Sequence, residues 1–180
     1  MIDESYSRWF NQQTNGVFNL TWCSATTTDV LAAYGISAEN TEAMRFWGGD
    51  IDMLVGRLGN GTVIVDFSID SLTSHTPGAL PTLAQHGFCL SAAWCNEIPA
   101  IVSYYAQGAR VVRFDASFRD WHPDPDLAAV EEWIAATPAG TEIWDSRWDR
   151  AILITAEAML QAAVDDEWMI ATHIGVTFPE

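Results

Sequence analysis

Three observations predict an α+β fold: one antiparallel sheet of about five strands, helices at the N-terminus and a helical C-terminal third. The first is a hairpin signal. Residues 51–58 and 62–69 are runs of β-branched and apolar residues, and Gly59-Asn60-Gly61 between them tolerates positive φ. The second is a set of similar runs at 17–24, 88–95, 98–105 and 109–114, with Gln107-Gly108 as a turn, which extends the hairpin into a meander. The third is the change of period after Asp120, where apolar residues recur at helical spacing.

The elements follow in chain order. Residues 6–13 form a short amphipathic helix carrying Trp9 and Phe10 inward. Thr26 and Thr28 offer N-cap hydroxyls, and Val30, Leu31 and Tyr34 recur at helical spacing until Gly35. Ser37 caps a second helix, with Ala43, Met44 and Trp47 on one side and Gly48-Gly49 at its end. Residues 79–85 make a short helix closed by Gly87. Pro125 suits a first helical position, followed by Leu127, Val130, Trp133 and Ile134. Pro138-Ala139-Gly140 breaks that helix. A longer helix over 148–164 carries the apolar stripe Ala151, Ile152, Ile154, Ala158, Met159 and Ala162, and a last one over 165–173 ends at Gly175. The expected sheet core is Leu54, Val63, Val65, Phe88, Leu90, Ile101 and Val112.

The length of 180 residues fits one domain, 1–180, and an apolar fraction of 49% sets a globular chain apart from a disordered one despite a net charge of −16. All eight bases are arginine against 24 acids. Residues 115–180 are the extreme, with fourteen acids and three arginines. A field of this sign disfavours nucleic acid and anionic membranes; it favours a basic partner, or it serves solubility alone. Three cysteines, Cys23, Cys89 and Cys95, do not form a secreted disulfide framework. The start of the chain carries Asp3 and Glu4 and lacks the apolar core of a signal peptide, and no apolar run reaches membrane-spanning length, so the cytoplasm is the expected compartment. Nine tryptophans are more than one core of this size needs, which places some of them at a surface or an interface.

The order Tyr6-x-x-Trp9-Phe10, then Leu20-Thr21-Trp22, then Asp29-Val30-Leu31-x-x-x-Gly35 resembles an actinobacterial family of uncharacterised proteins. In that family a Trp-Phe pair precedes a strand and an E-V-L-x-x-x-G helix. Phe114-Asp115, followed by Trp121 and Pro125-Asp126, is similar to the family's F-D/E … P-D junction, and residues 170–177 resemble its C-terminal ending. The chain departs from the pattern after Thr21, where Cys23-Ser24-Ala25 replaces an R-G pair. The resemblance implies an element order and an actinobacterial or actinophage setting, and it transfers no catalytic residue.

No motif specifies a reaction. His75, His86, His122 and His173 lack the spacing of a helical zinc site, no C-x-x-C occurs, and neither a metal nor a cofactor is expected. Cys89 and Cys95 share strand parity, with His86 just before them, but buried small hydrophobes account equally for two cysteines. No G-x-S-x-G surrounds Ser24, Ser74 or Ser91, and Gly59-Asn60-Gly61 is a turn rather than a phosphate cradle. Close carboxylate pairs such as Asp50 and Asp52 arise by chance among so many acids and mark solvated faces. Asp66 and Asp70 are different: they share parity with Ile64 and Ser68, and if the face of Ile64 is the buried one, Asp66 is an internal acid.

The segment from Arg119 to Trp148 mixes Trp121, Trp133, Trp144 and Trp148 with acids that include Glu131 and Glu132. Rings within an acidic field suit a basic protein surface, the acids steering and the rings supplying burial. The competing explanation is that these rings pack the C-terminal helices onto the sheet. The sequence therefore points to a non-enzymatic binding protein, immunity- or inhibitor-like, with a basic protein partner. The alternatives are a nucleic-acid mimic, an enzyme with a site near Asp66 or Cys23, and a homo-oligomer with tryptophans at its self-interface.

Overall fold

The computed structural model describes residues 18–45, 51–67, 76–94, 100–118 and 126–178. Its centre is one eight-stranded antiparallel sheet with helices on both faces. The strands are β1 (Phe18–Cys23), β2 (Thr41–Arg45), β3 (Met53–Leu58), β4 (Gly61–Asp66), β5 (Phe88–Trp94), β6 (Ile101–Ala106), β7 (Ala109–Asp115) and β8 (Thr172–Val176). They lie in the order β2-β8-β3-β4-β1-β5-β6-β7. The helices are α1 (Thr27–Ala33), α2 (Thr76–Leu83), α3 (Leu127–Ala136), α4 (Gly140–Ser146), α5 (Trp148–Leu160) and α6 (Asp166–Ile170).

The two hairpins form where the turn residues place them. Leu58 pairs with Gly61 across Gly59-Asn60, and Ala106 pairs with Ala109 across Gln107-Gly108. Gln107 and Gly108 have φ of 50° and 78°, so both central residues are left-handed, the conformation that matches the twist of two-residue hairpins. In α1 the capping hydroxyl is Thr26: its side chain accepts from Asp29 N, while Asp29 reaches back to the Thr26 backbone. Asp126 caps α3 in the same way through Ala129 N.

Strand parity divides the core in two. Leu20, Trp22, Leu54, Val63, Val65, Leu90, Val102 and Phe114 face α3, α4 and α5 in the larger cluster. Cys23, Met53, Val55, Ile64 and Cys89 face the other way, against Val30 of α1 and Leu80 and Leu83 of α2. Every residue of β4 is consequently buried. Of the expected sheet core, Leu54, Val63, Val65, Leu90 and Val112 are buried, while Phe88 and Ile101 are half-buried.

The sheet is wider than the sequence predicts: eight strands, not about five. The strands that no predicted run anticipates, β2 and β8, fall on segments read wholly or partly as helices. Met44 lies on β2, paired with His173 of β8, and β8 in turn pairs with β3. The last helix stops at Ile170, where Ala171 turns extended with ψ 165°, so His173 and Gly175 belong to a strand. The long C-terminal helix covers Trp148–Leu160 and is preceded by the separate helix α4. Helix α3 is described from Leu127, with Asp126 as its N-cap. Pro125 and the expected helix at 6–13 lie outside the described residues.

Candidate functional site

The acidic helical layer is built from α3, α4 and α5. On α3, Val130 and Ile134 point into the core one turn apart, and this orientation leaves Glu131 and Glu132 exposed. On α4, Trp144 points inward and leaves Glu142 and Asp145 exposed. Between residues 126 and 178 the sequence has ten acids and two arginines. Eight of those acids are exposed, and Asp149 and Glu157 are half-buried. Arg147 bonds Asp149 through both Nε and an Nη, at 3.0 and 3.1 Å, so one of the two cations is answered within the layer itself.

The tryptophans divide by depth. Trp144 is buried, and its indole N–H donates to the Thr137 hydroxyl. Trp133 is half-buried and joins a ring cluster, with centroids 5.6 Å from Trp144, 5.4 Å from Tyr104 and 5.9 Å from Phe114. Trp148 is half-buried against the same core. Of the rings singled out in the sequence, Trp144 is therefore core and withdrawn from any partner; Trp133 and Trp148 keep partial exposure, and Trp121 lies outside the described residues. The sheet-packing explanation holds fully for Trp144 and in part for Trp133 and Trp148. The Phe114-Asp115 pair has structural work too: Phe114 packs in the ring cluster, while Asp115 Oδ1 accepts from Ser117 N and Phe118 N in the turn after β7.

The opposite sheet face carries the two alternative sites. Asp66 is buried there, as the parity of Ile64 requires, directly across from Asn19 of β1. Beside it runs a hydroxyl relay: Thr21 donates to Ser91 at 3.0 Å, and Ser91 donates to Asn19 Oδ1 at 2.9 Å. Ser91 thus spends its proton on an amide oxygen, which cannot serve as the base a nucleophile needs. Cys23 is fully buried, its thiol contacts the Thr62 carbonyl at 3.8 Å, and burial pushes its pKa up to about 12. A thiol so raised stays protonated and is not poised for attack. Among the described residues no group of three or more His, Cys, Asp and Glu side chains is placed to hold a metal. Among them, too, no helix is long and apolar enough to cross a membrane.

One arrangement was not legible in the sequence. Trp168 and His173 stack with centroids 4.3 Å apart over Gly56, and Trp168 Nε1 donates to Arg57 O at 2.9 Å. Along the same strands lies an open groove of about 420 Å³, whose lining includes the polar residues Thr27, Thr41, Glu42, Arg57, Thr172 and His173. The available signal was the short spacing between Trp168 and His173, which becomes a contact only once the chain turns at Ala171. The chain matches no family model, no curated protein and no solved structure.

Proposed function

We propose that this chain is a non-enzymatic binding protein whose acidic helical layer engages a basic surface on a protein partner, in the manner of an immunity protein or inhibitor. The observation that carries the reading is the exposure of Glu131, Glu132, Glu142 and Asp145 on adjacent packed helices, with Arg147 already paired to Asp149. Acids so placed raise the encounter rate with a cation-rich surface. The half-buried rings of Trp133 and Trp148 then supply anchors that are held by the core rather than immobilised on binding. The cytoplasm is the compartment that goes with this proposal, and so is the resemblance to an actinobacterial family, which adds an element order and no activity.

The experiment is a paired capture from a lysate of the encoding organism. One bait is the natural chain and the other carries Glu131→Arg and Glu132→Arg. A basic protein held by the first bait and lost by the second supports the reading. A partner displaced by added duplex DNA marks the chain as a nucleic-acid mimic, and a partner retained equally by both baits contradicts the acidic face as the contact.

A further inference from the structure

Cys23 and Cys89 are partners across β1 and β5 and both point to the face covered by α1 and α2. Ser24 N donates to Phe88 O, which makes Ser24 and Phe88 a hydrogen-bonded pair; the alternation of an antiparallel ladder then makes Cys23 and Cys89 a non-hydrogen-bonded pair. Such positions bring Cα atoms to about 4.5 Å, inside the range of roughly 4.4–6.8 Å that a disulfide spans. The next pair on the same face confirms the closeness: the hydroxyl oxygens of Thr21 and Ser91 are 3.0 Å apart. Both thiols are free, and both are fully buried.

We propose that Cys23 and Cys89 form a cross-strand disulfide when the chain folds under oxidising conditions, a staple between β1 and β5. The loop it closes runs from residue 23 to residue 89 and contains β2, β3, β4, α1 and α2. A covalent link across so long a loop restricts the unfolded chain and favours the folded one. Cys23 Sγ now lies toward Thr62 on β4, on the side of β1 away from β5, so the bond requires rotation about its Cα–Cβ bond. The oxidant is a low-molecular-weight disulfide. One cysteine thiolate attacks it, forming a mixed disulfide and releasing one thiolate. The second cysteine attacks the protein-bound sulfur and releases the other. The two protein thiol protons end on the two released thiolates, and two electrons pass to the oxidant. Burial raises both thiols, so this exchange belongs to folding, before β1 and β5 close over the pair, and the finished bond is then sheltered from reductant.

The test uses the full chain with Cys95→Ser, refolded from denaturant in oxidised or reduced glutathione. The expected oxidised product has lost two hydrogens by intact mass, has no titratable thiol, and unfolds at a higher denaturant concentration than the reduced product. Adding Cys23→Ala should abolish that difference between buffers. Native protein that emerges from the oxidised buffer with both thiols free, or with glutathione attached, overturns the proposal, as does a redox-dependent midpoint that survives Cys23→Ala. If Cys95→Ser does not refold, peptide mapping of the oxidised natural chain decides. A Cys23–Cys89 cross-linked peptide supports the staple, and a link through Cys95 or no link overturns it.

Discussion

The indole N–H of Trp144 donates to the hydroxyl of Thr137 at 2.8 Å, and that hydroxyl donates in turn to Ile134 O at 2.8 Å. Thr137 stands at the C-cap of α3 and Trp144 lies within α4, so one buried hydroxyl ties the two acidic helices together.

Thr137→Val keeps the shape and leaves the Trp144 N–H buried without an acceptor. The expected loss of stability is about 1–3 kcal/mol, read as a lower midpoint in chemical denaturation. Thr137→Ser should retain most of the natural stability. Trp144→Ala should cost about 3–5 kcal/mol, and its effect on any partner should follow from unfolding, not from a lost contact. Equal midpoints for the natural chain and Thr137→Val would show that the link between α3 and α4 lies elsewhere.

Gly56 is where β3 lets two rings descend onto the sheet. A Cβ at this position would stand 2.5 Å from His173 Nδ1 and 2.6 Å from Trp168 Cζ2. Gly56→Ala should therefore destabilise the chain by about 1–3 kcal/mol through overpacking. Combined with His173→Ala, which empties part of that space, the penalty should shrink, giving a non-additive double-mutant cycle. Strict additivity would mean that the clash is absorbed without His173.

His173 adds a pH dependence. Its Nε2 lies 2.7 Å from Trp168 O, and because a carbonyl only accepts, Nε2 carries the proton in the neutral ring. Burial lowers the imidazole below its ordinary value of 6.5, and the hydrogen bond to Trp168 opposes this only in part. The unfolded state then binds more protons, so this contribution is complete above about pH 6.5 and is lost as pH falls from there toward the folded value. Relative to the natural chain, His173→Asn should be less sensitive to acidification from about pH 7.5 to about pH 5.5 in denaturation midpoint. An identical pH dependence in both proteins would contradict a neutral, buried His173.

The central sheet was legible because its strands carry local signals: turn residues at Gly59 to Gly61 and runs rich in β-branched and apolar residues on either side. The strands β2 and β8 were not. Thr41–Arg45 contains Glu, Ala, Met and Arg, which are good helix formers, and only Met44 is buried, so pairing with β8 decides the conformation against local propensity. The same holds for His173, whose strand exists because β8 enters between β2 and β3. The acids of the candidate surface were readable from composition and helical phase, since Glu131 and Glu132 fall between the inward positions Val130 and Ile134. The depth of Trp144 was not, because its hydrogen-bond partner Thr137 lies across a helix break.

The rate at which the captured partner associates is the most direct test of the acidic face. The measurement is stopped-flow association at about 50 mM and about 500 mM salt, with the natural chain and with Glu131→Arg/Glu132→Arg. If the exposed acids of α3 and α4 steer the encounter, the natural rate should fall by about tenfold or more across that range. The charge-reversed chain should be slow already at low salt and respond weakly to more, with dissociation little changed. An association rate indifferent to salt, or one that charge reversal leaves unaltered at low salt, would contradict the account and leave the acidic layer to solubility.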